Sequence, residues 1–330
     1  MPDILFTLLF AAHLLLVDVA IAGPLFCVWL DCRATRRGEI AASEIGRSLA
    51  RRVVLAVVLG IGAGVTMWWG LSLLPDQKRY LEVFDAIPKA RWWAIISELV
   101  FFVVAMGLYA GLWNKWTRYR WGHRLVAILA GTTLAFHFPP MFAMVSALST
   151  RPELQGQSLD RPTYWHLMFD PETLARTTHH LLAAVAVVGT IVACKAARRC
   201  SIDDNKENSS DKPGTKSVGE IAARVALFAT LLQIPVGIWV FLQLPVGARE
   251  QVLGTDPTSL FLFGGALISA LGLLHHLAAL AMGDLTCRQV YRAGILLVLT
   301  TVMMTGMLHR TRTAVFREMD RGISSVTPQK

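Results

Sequence analysis

Apolar residues in this sequence come in blocks of about 20, and nearly all of the charge lies in the stretches between them. At a rise of about 1.5 Å per residue, such a block matches the ~30 Å hydrocarbon core of a bilayer. A soluble helical domain would instead show an apolar stripe recurring every three to four residues. Eight blocks are long enough, at roughly 4–30, 52–74, 92–113, 124–148, 177–197, 221–245, 258–282 and 289–309. The pattern predicts an all-α, polytopic membrane helix bundle of about eight transmembrane helices, with no sizeable soluble domain. The first block carries Ala20-Ile21-Ala22, which resembles a signal-peptide cleavage site. No Lys or Arg precedes it, however, and the apolar run continues through Phe26-Cys27-Val28-Trp29-Leu30, so it reads as a retained helix.

Composition agrees, with 54% hydrophobic and 17% charged residues against about 25% charged in soluble domains. The net charge of +9 raises nucleic-acid binding as a class, but Lys and Arg flank apolar blocks and do not line a helix face, which excludes it. Of the 32 Lys and Arg residues, 19 fall in segments 31–52, 114–124, 195–224 and 284–292. The positive-inside rule then places these segments in the cytoplasm and both termini outside. All five cysteines (Cys27, Cys32, Cys194, Cys200 and Cys287) lie near the same ends, where thiols stay reduced. The expected location is the inner (plasma) membrane of a bacterium.

Four stretches follow from this division: a five-helix unit over 1–200, a flexible polar linker over 201–218, a three-helix unit over 219–310, and a polar tail over 311–330. Segment 149–175 reads as a long outer loop, and Trp92, Trp93, Trp113, Trp116 and Trp121 read as an interfacial aromatic belt.

Ionisable groups inside apolar spans carry the chemical information, because placing them in hydrocarbon costs several kcal/mol. They are His13, Asp18, Glu98, His137, His179, His180, His275 and His276, with His309 at a span edge. A neutral imidazole is a common axial ligand of haem iron, with methionine as a frequent partner, so Met303, Met304 and Met307 enter as candidates. The same imidazoles also suit a proton relay or a helix–helix hydrogen bond, and the methionines suit core packing. Adjacent histidines point about 100° apart, so at most one of 179/180 and one of 275/276 faces a given iron. His137 precedes Phe138-Pro139-Pro140, which should bend its helix, and Gln233-Ile234-Pro235 is a candidate border of a quinone pocket or a packing contact. His123 and His166 are expected at solvated or interfacial positions. No Walker, GxGxxG, HExxH or CxxC motif occurs.

Several short motifs together resemble subunit I of the cytochrome bd quinol oxidases. Ala12-His13-Leu14-Leu15-Leu16-Val17 occupies the place of a haem-ligating helix. Gly60-Ile61-Gly62-Ala63-Gly64-Val65-Thr66-Met67 reproduces the family's G-x-x-x-G-x-T-M pattern, and Glu98-Leu99-Val100-Phe101-Phe102 resembles its acidic third helix with one acid in place of two. Asp170-Pro171 followed by His179 matches its Asn-Pro turn and haem b ligand. The resemblance implies His13 and His179 as axial ligands and Glu98 as a ligand or proton-path residue. The chain departs from the family in the short 246–257 turn where a long quinol loop stands, in lacking G-R-Q-P-W, and in lacking a methionine at the outer end of span seven.

The function expected from this resemblance is a reduced haem b membrane subunit of a respiratory complex. It would pass electrons between quinol and a cytochrome or oxygen, working with other respiratory membrane subunits or a cytochrome c, with quinone as a further bound cofactor. In that reading His13 and His179 converge on a shared iron porphyrin, and His180, His137, His275, His276, Met304 and Met307 complete the candidate set. Two other classes stay open: a proton-coupled transporter using the intramembrane His and Glu residues, and a scaffold in which the histidines only pack.

Overall fold

A computed structural model describes residues 2–72, 78–116, 119–151, 159–204 and 212–326. Among the described residues there is no strand. Eight helices are long and apolar enough to cross a membrane, as the apolar blocks predict. They are α1 (Pro2–Arg37), α2 (Ile40–Ser72), α4 (Lys89–Gly111), α5 (Arg120–Leu148), α7 (Pro171–Asp204), α8 (Lys212–Leu242), α10 (Pro257–Ala281) and α11 (Cys287–Val326). Short helices α3 (Lys78–Asp85), α6 (Arg161–Met168) and α9 (Val246–Glu250) lie in the connections.

The helices run further than the apolar blocks, and several of the charges at their ends find partners within or between helices. Segment 31–52, expected as a loop, is almost wholly helical: α1 and α2 are separated only by Gly38 and Glu39. Gly38 sits at φ 66, a left-handed conformation that glycine adopts without a Cβ penalty. Arg33 Nε donates to Glu39 Oε2 at 2.7 Å across the turn. Asp31, 2% exposed, accepts from Arg120 Nη1 at 2.8 Å and Arg124 Nε at 2.6 Å, fastening α1 to α5. This end of the bundle is termed the basic end, and the other, where α1 begins and α11 finishes, the terminal end.

Helix α1 packs against α2, α5, α7 and α11, while α7 packs against α8, α1, α5 and α11. More than half of the most apolar stretch of α7 is buried, against a third or less in the other spans, so α7 is the central post. Small residues allow the close approach: a Cβ on Gly189 would meet Ala222 O at 2.9 Å and Ala226 Cβ at 3.0 Å on α8. Exposed Leu55, Val58, Leu59, Ile268 and Leu271 cover the outside of the bundle, where lipid would replace water.

Five expectations change. Segment 149–175 contains α6, capped by Asp160, whose side chain accepts from Thr163 N. The tail over 311–330 continues α11 to Val326, with Thr311 and Phe316 buried. Helix also covers 201–204 and 212–218 of the expected linker, and 205–211 lie outside the described residues. His123 is buried, not solvated: its ring stacks on Tyr109 at 3.9 Å, and its Nε2 lies 2.8 Å from the Tyr109 carbonyl. Trp113 belongs to the core and donates to Ser43 Oγ at 3.3 Å, whereas Trp93 and Trp121 are exposed as a belt requires.

Candidate functional site

His13 is on α1, half-buried against α2. Its Nδ1 lies 2.9 Å from the Gly60 carbonyl, the typical length of an N–H···O bond. A carbonyl oxygen only accepts, so Nδ1 carries the proton and Nε2 keeps a free lone pair. That is the tautomer an axial nitrogen ligand requires, with the second ring nitrogen held by backbone. A Cβ on Gly64 would stand 3.2 Å from His13 Cε1, so the glycine leaves room beside the ring. The Gly60–Gly64 motif therefore supplies both an acceptor and a clearance.

His179 is on α7 and turns towards α8. A Cβ on Gly237 would lie 3.7 Å from its Cε1. Its buried Nδ1 has no hydrogen-bond partner among the described residues. Gln233 Nε2 reaches the His179 backbone carbonyl at 3.5 Å, a weak tie between α7 and α8 two residues before Pro235. His180 points the other way, with Nε2 3.6 Å from Oδ1 of the buried Asp18 on α1. His180 also lies within electrostatic reach of both His13 and His179.

His13 faces the α1–α2 groove and His179 the α7–α8 groove, while the side chain bridging α1 and α7 is His180. Asp18, one turn below His13, is the residue that the sequence motifs passed over. Its signal was present as a lone carboxylate inside an apolar run.

Glu98 on α4 and His137 on α5 meet at 3.1 Å between Oε2 and Nδ1. Neither atom gains a well-formed hydrogen bond, and both are buried. Glu98 is within electrostatic reach of Tyr164 on α6, so the pair sits towards the terminal end. His275 is exposed on the outside of α10. His276 Nδ1 lies 2.6 Å from Gln289 Oε1, whose amide donates to Asp284 Oδ2 at 2.8 Å. Both are one to two turns from the basic end of α10, apart from the His13 group. On α11, Met303 presses on Gly265, and Met304 and Met307 are half-buried.

Above His179, one turn towards the terminal end, lies an ionic network. Arg176 donates to Glu172 Oε1 at 2.7 Å, and Arg151 donates to Asp170 Oδ1 at 3.0 Å and Glu172 Oε2 at 3.4 Å. Arg176 and Arg312 both reach Ser146 Oγ, at 3.3 and 3.1 Å, joining α5, α7 and α11. Partial burial, the largest single influence, would raise the Asp170 carboxyl, but the hydrogen bonds from Arg151 and the Glu172 backbone N–H and the Arg151 charge together outweigh it and the acid is lowered.

Among the described residues no group of three or more His, Cys, Asp or Glu side chains could hold a metal ion by itself. An iron porphyrin asks less, since the macrocycle fills four positions and the protein supplies one or two. The fixed His13 tautomer, the orphaned His179 nitrogen and the glycines beside both rings fit that demand.

Compared with solved structures, the chain is similar to the bd oxidase from Geobacillus thermodenitrificans, with a TM-score of 0.61. Sequence identity is 15%, over 97% of this chain and 86% of that one. The fold is bd-oxidase-like. No family model matches the sequence, and neither does any curated protein. At this identity the likeness speaks for the arrangement of helices, and site residues rest on their own geometry.

Proposed function

We propose that the chain is a haem b membrane subunit of a bacterial respiratory complex, in which His13 and His179, in neighbouring grooves, would hold haem iron. The observation that carries the reading is the His13–Gly60 contact, which leaves Nε2 as a lone-pair donor inside a membrane span. Bound haem would supply reversible one-electron transfer. The protein's share is to orient each imidazole, to keep water from the iron and to hold protons near by. Asp18 with His180, and Glu98 with His137, are the pairs able to hold those protons. Quinol, other respiratory subunits or a cytochrome c would exchange electrons with it, the basic end facing the cytoplasm by the positive-inside rule.

The test is a reduced-minus-oxidised spectrum with pyridine haemochrome typing of protein purified from a haem-replete host. Haem b should be present, and His13→Ala and His179→Ala should each remove part of it while His275→Ala removes none. A colourless wild-type protein, or unchanged haem in both site variants, overturns the proposal.

A further inference from the structure

At the basic end, α2 and α7 present facing rows of cations that the histidine chemistry does not use. Glu44, Arg47, Ser48, Arg51 and Arg52 line a cleft of about 370 Å³. Their spacing of three, four, seven and eight residues puts them on one helix face. Lys195, Arg198 and Arg199 repeat that spacing on α7. Lys195 Nζ donates to Ser48 Oγ at 2.5 Å, and Arg199 pairs with Glu44. Arg52 and Arg198 lie within electrostatic reach of Lys195.

The cleft's own carboxylate is taken up by Arg199, and Lys195 is bonded to a neutral hydroxyl. Among the described residues, Arg47, Arg51, Arg52 and Arg198 form no ion pair. Neighbouring cations at the same end are answered: Arg33 by Glu39, and Arg120 and Arg124 by Asp31. Like charges gathered at a few ångströms repel unless an anion joins them. The level of the cleft narrows the choice of anion. Arg51 and Arg52 directly precede the apolar run from Val53, and Leu55, Val58 and Leu59 are exposed just beyond them on α2. An anion seated among the arginines is thus at headgroup depth, with an apolar surface leading away from it into the bilayer.

We propose that this cleft binds the phosphate of an anionic phospholipid, with guanidinium groups of α2 and the Lys195–Ser48 pair as donors and Leu55, Val58 and Leu59 beneath the acyl chains. Guanidinium forks suit phosphate oxygens, and each basic side chain near an anionic leaflet adds about fivefold in affinity. The site is independent of haem and is read on protein with or without it.

The experiment is thermal unfolding of the full chain in neutral detergent, titrated with phosphatidylglycerol, phosphatidylcholine or inorganic phosphate. Phosphatidylglycerol should raise the midpoint, an effect that fades in high salt, and the other two should not. Arg51→Gln with Arg52→Gln should weaken the phosphatidylglycerol response roughly 10- to 30-fold. Arg288→Gln with Arg292→Gln, which removes the same charge from exposed positions on α11, should leave it unchanged. Equal responses to the two lipids, a full response to inorganic phosphate alone, or equal losses in both double variants would each overturn the proposal. Should the Arg51/Arg52 variant fail to fold, Arg47→Gln replaces it, with a severalfold loss expected and no loss counting against the site.

Discussion

Two glycines on one helix offer a matched test of the His13 site. A Cβ at Gly64 would stand 3.2 Å from His13 Cε1, whereas a Cβ at Gly62 meets nothing within 4 Å. Ordinary carbon–carbon contacts lie at about 3.5–4.0 Å. Gly64→Ala therefore pushes the imidazole by a few tenths of an ångström, stretching its 2.9 Å contact with the Gly60 carbonyl towards the limit of a hydrogen bond. Gly64→Val adds two methyl groups, one rotamer of which drives further into the ring. Groups that orient a metal-ligating histidine are worth about 10- to 100-fold in metal affinity. Haem retention should fall severalfold in Gly64→Ala and about 10-fold or more in Gly64→Val, with Gly62→Val unchanged. Helix propensity acts in the opposite direction, since replacing glycine by alanine inside a helix favours folding by about 1 kcal/mol. The decisive measurement is the haemochrome ratio per protein beside the unfolding midpoint of haem-free protein. Gly64→Ala should lose haem while the haem-free chain is no less stable. Full haem with an unaltered spectrum in Gly64→Val would refute the assignment of His13.

Other expectations concern the frame. Asp31→Asn strands two guanidinium groups beside a buried position and should cost about 2–4 kcal/mol, less than a fully buried pair because Arg120 is partly exposed; an unchanged midpoint in a chemical-unfolding series would contradict this. Gly189→Val would press on the Ala222 carbonyl and should cost about 1–3 kcal/mol through separation of α7 from α8, visible as a lower unfolding midpoint. The hydrogen bond from Ser259 and the ion pair with Arg310 hold the Asp256 carboxyl down at about 2. Because the folded value lies below the ordinary one of 3.8, its contribution is present above pH 3.8 and is lost as pH falls towards 2. Wild type should therefore lose a small extra stability over that window relative to Asp256→Asn, and parallel midpoint curves would disprove it.

The spans were legible because a run of some 20 apolar residues with no periodicity fits few structures besides a membrane helix. Their ends were not. Asp31, Arg33, Glu39 and Glu44 read as loop charges in the sequence, yet Arg33 and Glu39 close the turn between α1 and α2, and Asp31 and Glu44 find partners on other helices, up to 155 residues away. The candidate site divided in the same way. His13 stood out as an imidazole in hydrocarbon, but that it faces Gly60 and Gly64 on α2 emerges only from the packing of the two helices. Which member of an adjacent pair looks inward depends on helix rotation, set by packing: His179 turns to α8 and His180 to α1, while His275 ends on the outer surface. Glu98 meeting His137 required knowing that α4 and α5 are neighbours.

The tight turn at Gly38 has a consequence for the order of assembly. His13 and its carbonyl partner belong to consecutive helices joined by that turn, so the first 72 residues already contain everything that sets the ring's protonated nitrogen. The surroundings of His179 are not complete until Gly237 has been synthesised and α8 has come to lie beside it. One imidazole is oriented by a local hairpin early in biogenesis, and the other waits for the second half of the chain.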